Sequence, residues 1–379
     1  MTRFAILTVA CAALLSACAT PPEAPLSCFE GAIRLDQSAP GQPASPCARV
    51  SASEFVLTIT PEAEPINPSP WYAFTVISDQ SAQIGVTLRY AAARHRYAPW
   101  IEAQDEPWLR LDPRHVRVTE TGAEARLSLD LDAGPSQIAA QPVYPDSTYA
   151  ALESRWGGEW RTFGTSHQGR ALRARIDPPA TPQAGWILIL GRQHPPEIPG
   201  AWALEDFAET LIEARAGGAI EAGLIIAPLL NPDGVAAGHW RLNAAQTDLN
   251  RDWADRRQPE IQAVYRLLET LEIEPGDLEL MVDFHATVKD VIYLPQQEEL
   301  PPGANARLEA WIAAMETDGL FALIEPERTN PARRVSAKAA FTDGWGAVAV
   351  TWEAADDTPE AEVREIARRG ARQWVLSQD

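Results

Sequence analysis

The chain has 379 residues, enough for two domains and a sizeable core at roughly 100–200 residues per domain. Its composition, 46% hydrophobic and 22% charged, is that of a soluble globular protein. A formal net charge of −20 repels phosphate backbones and argues against a nucleic-acid partner.

Residues 1–17 read as an export signal. One basic residue, Arg3, precedes an apolar stretch from Phe4 to Leu15 that is too short for a spanning helix. The stretch closes on "LSAC", Leu15 to Cys18, with a small residue before the cysteine. This resembles the lipobox of bacterial lipoproteins. The resemblance implies a mature chain that begins at a lipidated Cys18 and is anchored by that lipid in the cell envelope, on the periplasmic side. An ordinary secretory signal cleaved nearby is the alternative, and in both cases the chain leaves the cytoplasm. Cys11 is lost with the signal. An exported compartment permits a disulfide between Cys28 and Cys47, closing a short loop near the tether; two unpaired thiols are the alternative, and neither cysteine is assigned to metal.

Ten prolines fall between residues 19 and 70, so residues 18–50 read as an extended Pro-rich tether, with "CARVSASEFVLTI" able to add a strand. From Trp71 the pattern turns to β. "WYAFTVIS", "QIGVTLRY", "VRVTE" and "ARLSLDLDA" are short and rich in β-branched or aromatic residues, which predicts a small antiparallel β-sandwich over residues 51–155. Residues 156–379 then read as an α/β domain. "WILIL", "GLIIAPLL", "ELMVDFH" and "AVAVTWE" are continuous apolar runs, expected of strands buried on both faces of a mixed, mostly parallel sheet with helices on both sides. Between them, "AWALEDFAETLIEARAGG" places Leu204, Phe207, Ala208 and Leu211 on one helical face and stops at Gly217. "PEIQAVYRLLETL" does the same with Ile261, Val264, Leu268 and Leu271. "TPEAEVREIARRGARQWV" starts with Thr358 as N-cap and Pro359 at the first helical position.

The stretch "GRQHPPEIPGAW" sets His194 and Glu197 three apart, with Pro195 and Pro196 between them. The pair alone is a weak motif, but it lies directly beyond the strand "WILIL" and before a helix, where ligands gather in open α/β sheets. An imidazole and a carboxylate suit zinc, which needs a third protein ligand and leaves a fourth position for water. His285, ending "ELMVDFH", can reach the same sheet edge; a hydrogen-bonded loop histidine is the alternative. Asp283 either orients a ligand or is a polar residue at a strand end. The two prolines fix φ and push His194 towards extended backbone, so the turn that aims imidazole and carboxylate at one ion is largely preformed.

Further motifs follow in order: "NPDG" at 231–234, Arg241, "DLNRDW" at 248–253, and "VTWE" ending in Glu353. In this combination the chain, from about residue 163 to its end, resembles the zinc carboxypeptidases of the funnelin type. Upstream, "NPSPWYAFTV", "YAPWIEAQDEPWLRL" and "YPDSTY" resemble the β-domain of the cytosolic carboxypeptidase subgroup, whose members remove C-terminal glutamates. The resemblance implies a zinc carboxypeptidase fold and hydrolysis of the C-terminal peptide bond. It implies one Zn²⁺ held by His194, Glu197 and His285, with Glu353 as the general base and Arg241 stabilising the oxyanion. It also implies that Asn250 and Arg251 hold the substrate's terminal carboxylate; for Arg251 a surface ion pair with Asp248 or Asp252 is the alternative.

The mobile tyrosine of many relatives is missing. Tyr293 is the only tyrosine between His285 and Glu353 and falls too early, while "SAKAAFTDGWG" offers Phe341 and Trp345 but no phenol. Arg333, Arg334 and Lys338, shortly before the catalytic strand, form a basic cluster that would select an acidic C-terminal residue, unless the segment is only a solvated loop. Two other readings stay open: an amidohydrolase related to aspartoacylase, and a non-catalytic envelope binding protein on the peptidase fold.

Overall fold

The structure is a computed structural model that describes residues 28–63, 68–104, 106–329 and 334–378. The signal segment, Cys18 and Arg333 lie outside these described residues.

The described chain begins with the strands β1 (Ile33–Asp36), β2 (Cys47–Arg49), β3 (Glu54–Ile59), β4 (Ala73–Ser78), β5 (Ala82–Tyr90), β6 (Trp100–Ala103), β7 (Leu109–Arg110), β8 (Val116–Val118), β9 (Glu124–Leu131) and β10 (Gly134–Ala139). They form two five-stranded sheets, ordered β1-β4-β10-β6-β7 and β2-β3-β5-β9-β8. β3 and β9 bury every second residue, as strands with one wet face must. Their inward residues Phe55, Leu57, Leu127 and Leu129 meet Leu35, Phe74, Val76 and Ile138 of the other sheet in one core.

Two expectations change here. Residues 28–50 were expected in the tether, yet β1 pairs with β4 and β2 pairs with β3, so this segment completes the sandwich. Its prolines 40, 43 and 46 fall between the two strands, where no ladder hydrogen bond is lost. The sandwich is also not wholly antiparallel, because β3 and β5 run parallel. The Cys28–Cys47 disulfide is present, and it ties the chain just before β1 in one sheet to β2 in the other. Replacing both cysteines by serine is expected to lower the stability of the sandwich by about 3 kcal/mol, read as a lower urea midpoint, because a loop of this size is no longer closed in the unfolded chain.

After α1 (Ser147–Trp156) come β11 (Trp160–Thr165), β12 (Ala171–Asp177), β13 (Trp186–Gly191), α2 (Ile198–Ala216), β14 (Gly223–Ala227), α3 (Pro232–Ala237), α4 (Pro259–Thr270), β15 (Leu278–Thr287), β16 (Val291–Leu294), α5 (Pro302–Thr317), β17 (Glu325–Arg328), α6 (Ala337–Trp345), β18 (Val348–Ala355) and α7 (Glu360–Leu376). The sheet order is β11-β12-β14-β13-β15-β18-β16-β17. Its centre is parallel, β14-β13-β15-β18, and its margins include antiparallel pairs. The four apolar runs are these four central strands, buried along almost their whole length. Alternate residues face opposite ways. Ile187, Ile189, Val282 and Val350 pack with α2, α5 and α7. Leu188, Leu190, Met281 and Ala349 pack with α4 and α6. One cap shifts: α7 begins at Glu360 with Pro359 as N-cap, and the Thr358 hydroxyl instead donates to Asp290 Oδ2 at 2.6 Å.

The sandwich docks on the end of β18. Arg96 Nε donates to Asp356 Oδ2 at 2.8 Å, Gln141 Nε2 donates to the Asp356 carbonyl at 3.0 Å, and Arg110 reaches Asp357 at 3.0 Å. Trp100 packs edge-on against Trp202 of α2, centroids 5.9 Å apart.

Candidate active site

β13 ends at Gly191, and the next residue, Arg192, holds φ at +51°, a region that costs a residue other than glycine about 1 kcal/mol or more. The strain is over-determined. The buried guanidinium donates to the Tyr149 hydroxyl and the Tyr144 carbonyl, both at 3.1 Å, and lies over the two rings. The chain then enters the proline turn. The N–H of Glu197 points back to the His194 carbonyl at 3.4 Å, with Pro195 and Pro196 at the two central positions. Glu197 is the N-cap of α2. Gly200, one turn into that helix, lies against β15; a Cβ there would sit 2.5 Å from the His285 carbonyl oxygen. Glycine at this point lets the start of α2 press onto the strand that carries His285.

The three residues converge. His194 Nδ1 is 2.8 Å from Glu197 Oε1, His285 Nδ1 is 2.7 Å from Glu197 Oε2, and the two Nδ1 atoms are 3.2 Å apart. Together they form a group able to hold a metal ion, with all three ligand atoms within 4.8 Å of one another. The donor set fits zinc: bonds of about 2.0–2.1 Å in a tetrahedron put neighbouring ligand atoms roughly 3.3 Å apart. The outer nitrogens are also engaged. Asp248 Oδ1 lies 3.1 Å from His194 Nε2, and Asp283 Oδ2 lies 2.9 Å from His285 Nε2. Each carboxylate fixes its imidazole with Nδ1 turned to the centre, as outer partners of metal ligands do. Asp283 is therefore an orienting residue. It is in turn gripped by the buried Gln193 amide at 2.7 and 2.8 Å, whose oxygen accepts from the Trp253 indole at 2.9 Å.

β15 and β18 are parallel, with His285 directly beside Glu353 in register. Glu353 Oε2 is enclosed and has no hydrogen-bond partner among the described residues. Burial pushes its carboxyl up to about 7, with Glu197 and Asp283 adding to the rise and His285 and His194 opposing it. Arg241 Nε donates to Asp248 Oδ2 at 2.7 Å, which leaves its terminal nitrogens without a partner among the described residues.

The remaining sequence candidates separate. Arg251 is exposed, its guanidinium donating to the Asn250 carbonyl at 2.8 Å, and it makes no ion pair with Asp248 or Asp252. Asn250 is buried: its Oδ1 accepts from the N–H of Ala337 at the start of α6, and its Nδ2 lies 3.0 Å from His285 Nε2. It therefore stands directly behind a candidate ligand. Arg334 is paired with Glu299 and Asp343. Lys338 is buried, its ammonium donating to the Leu294 carbonyl and to the carbonyl and hydroxyl of Thr329. Burial lowers its pKa to about 8. Neither is a solvated loop cation. Tyr293, set aside on spacing, stands opposite Thr351 in β18, on the same sheet face as Glu353. Burial and the nearby Glu353 charge raise its phenol above the usual range.

Similarity to known proteins follows the fold first. A metallo-carboxypeptidase from Burkholderia cenocepacia superposes with a TM-score of 0.74 over 92% of this chain and 99% of that one, at 17% identity. A metallo-carboxypeptidase from Pseudomonas aeruginosa superposes at 0.71 over 90% and 98%, at 21% identity. The chain thus has the α/β fold of the metallocarboxypeptidases, with the smaller β-rich region in front.

Among individual relatives, cytosolic carboxypeptidase 6 is 26% identical over 272 residues in Homo sapiens and 35% identical over 273 in Caenorhabditis elegans, in each case 63% of this chain. The chain spans about half the length of these curated relatives, 54% and 59% respectively. The catalytic-domain profile of succinylglutamate desuccinylase/aspartoacylase matches residues 184–367.

Burial lowers the pKa of His285, but Asp283 and Glu197 outweigh it and hold the imidazole well above its ordinary value. An incoming metal ion has to displace that proton. Zinc affinity is expected to fall with falling pH, about tenfold per unit for each proton displaced, with proton release seen by calorimetry in buffers of different ionisation enthalpy. Asp283→Asn should weaken zinc binding roughly 10- to 100-fold and reduce the proton release.

Proposed function

We propose that the protein is a zinc-dependent metallocarboxypeptidase that hydrolyses the C-terminal peptide bond of peptides. The observation that carries this reading is the placement of Glu353, its Oε2 enclosed and without a hydrogen-bond partner among the described residues, beside His285 in register, at the edge of a His194–Glu197–His285 cluster. Likeness to cytosolic carboxypeptidases supports it.

Zn²⁺ held by these three side chains would supply a Lewis acid and acidify a water. Glu353 accepts the water's proton and passes it to the leaving amine, which requires the ionised carboxylate at the start. The terminal nitrogens of Arg241 donate to the carbonyl oxygen as its charge develops. The exposed fork of Arg251 takes the terminal carboxylate of the substrate. Activity therefore rises with pH through the Glu353 pKa, which burial sets at about 7 and a bound dication lowers. A preference for C-terminal Glu or Asp is part of the proposal. Its support is Lys338, a buried ammonium hydrogen-bonded only by neutral oxygens.

A second reading, amidohydrolysis of N-acyl amino acids, is favoured by the desuccinylase/aspartoacylase profile over residues 184–367. One panel separates the two: peptides ending in Glu, Lys and Phe, and an N-acyl amino acid. Release of C-terminal amino acids from peptides, fastest for Glu, is expected; cleavage of the N-acyl compound alone would favour the second reading, and equal or faster release of Phe would end the acidic preference. Glu353→Gln should lower kcat by about 10²–10⁴ while zinc content stays at wild-type level.

The site of action proposed is the bacterial cell envelope, with the chain anchored through a lipid on Cys18. The "LSAC" segment and the Cys28–Cys47 disulfide, which suits an oxidising compartment, support this. No helix among the described residues is long and apolar enough to cross a membrane. Cys18→Ala should move the protein from the membrane fraction to the soluble one; an unchanged distribution would remove the anchor.

A further inference from the structure

The segment that carries Arg241 has no regular secondary structure. Its three successive N–H groups, from Trp240, Arg241 and Leu242, all donate to one carboxylate, that of Glu62. Glu62 lies in the loop after β3, in the sandwich, 179 positions before Arg241. Arg241 N is 3.0 and 3.2 Å from the two oxygens, and Leu242 N is 2.7 Å from one of them. These N–H groups have no other partner among the described residues. A row of backbone amides around one carboxylate is a concave anion site, here filled by the chain itself. A second tie from the sandwich acts on the same turn, because the Trp240 indole donates to the Tyr97 hydroxyl at 3.1 Å.

The turn leads straight into the site. From its held backbone, Arg241 reaches Asp248 Oδ2 at 2.7 Å, and the other oxygen of Asp248 lies 3.1 Å from His194 Nε2. The catalytic domain holds the segment on either side of these three amides: the His239 N–H donates to the Gly234 carbonyl at 2.9 Å and the Asn243 N–H to the Thr247 carbonyl at 3.0 Å, while the Leu242 carbonyl accepts from Asn231 Nδ2 at 3.1 Å, with His239 Nδ1 2.9 Å away. Removal of Glu62 would leave three N–H groups with only water as partner and reduce the sandwich's hold on the turn to the Trp240–Tyr97 contact.

We propose that Glu62 is a positioning residue for Arg241, so that the β-sandwich sets the aim of the guanidinium at the developing oxyanion. The catalytic consequence rests on the carboxypeptidase reading; the structural one does not. Glu62 touches no reacting atom. It acts through the backbone of residues 240–242, and its loss should appear in kcat because the guanidinium is needed most when charge has developed on the carbonyl oxygen.

The test uses the full, zinc-loaded chain with Glu62→Ala, Glu62→Gln, Arg241→Ala and the Glu62→Ala/Arg241→Ala double variant. A guanidinium misplaced by roughly 1 Å costs up to about 100-fold, so Glu62→Ala should lower kcat by about 10- to 100-fold with little change in KM or zinc content. Glu62→Gln keeps one acceptor oxygen and should recover part of the loss, which also guards against a merely misfolded alanine variant. In the Arg241→Ala background the Glu62 change should cost almost nothing, since it has no arginine left to aim. Equal losses in both backgrounds, or an unchanged kcat in Glu62→Ala, would overturn the proposal.

The side-chain Nε–H resonance of Arg241, assigned by its disappearance in Arg241→Ala, gives a reading that needs no turnover. Its protection by Asp248 should be lost in Glu62→Ala. If the wild-type chain cleaves no peptide, the carboxypeptidase reading fails and this resonance alone decides: persistence of the protected signal in Glu62→Ala overturns the positioning, and its loss upholds it.

Discussion

Two imidazole nitrogens 3.2 Å apart, with the oxygens of one carboxylate 2.8 and 2.7 Å from them, are not a stable arrangement in a buried pocket without positive charge at their centre. Asp248 and Asp283 behind the rings sharpen the demand, since they add two further carboxylates beside the two imidazoles. Protons meet it in one form of the protein and a dication meets it better. Much of the local architecture serves to hold these groups together against their preference to separate: a proline-stiffened turn, a strained Arg192, a glycine where helix meets strand, and an amide–indole pair that locks Asp283.

The sandwich belongs to this arrangement more closely than a chain-order reading implies. It grips the far end of β18 through Arg96, Gln141 and Arg110, only three or four positions beyond Glu353. It also reaches the turn of Arg241 through Glu62 and Tyr97. The strand of Glu353 and the turn of Arg241 thus both rest on residues from the first part of the chain.

What could be read in the sequence was what depends on local pattern. The central strands announced themselves as apolar runs because both faces of a parallel sheet are covered. α2, α4 and α7 announced themselves through spacing and cap or stop signals, and the ligand segment through its place between strand and helix, whereas α1, α3, α5 and α6 were not read. Short elements escaped: β1 and β2 are hidden among prolines, β10 opens with Gly134–Pro135, and β17 is the charged "EPER", whose pairing with β16 nothing in its composition signals. The partners that matter most are long-range. Asn250 reads as a substrate donor through the motif it shares with Arg251, and only the fold shows it set between His285 and α6, 35 and 87 positions away. Lys338 and Arg334 read as a basic cluster, but their acceptors lie on other elements and come from tertiary structure alone. Glu62 carried no signal at all, being one acidic residue in a proline-rich loop.

The pairing of β15 with β18 has a wider meaning. His285 and Glu353 stand on one step of a parallel ladder, 68 positions apart in sequence yet set at strand spacing by backbone hydrogen bonds. Side-chain rotation can tilt either group, but the distance between their backbones is a property of the sheet. A slip of one residue would turn one of them to the opposite face, so the pairing admits no intermediate setting. The intervening segment, with β16, α5, β17 and α6, can accordingly drift in length and composition without detuning the gap between His285 and Glu353. It is the natural place for such a protein to acquire a new taste in substrates while its reacting groups stay put.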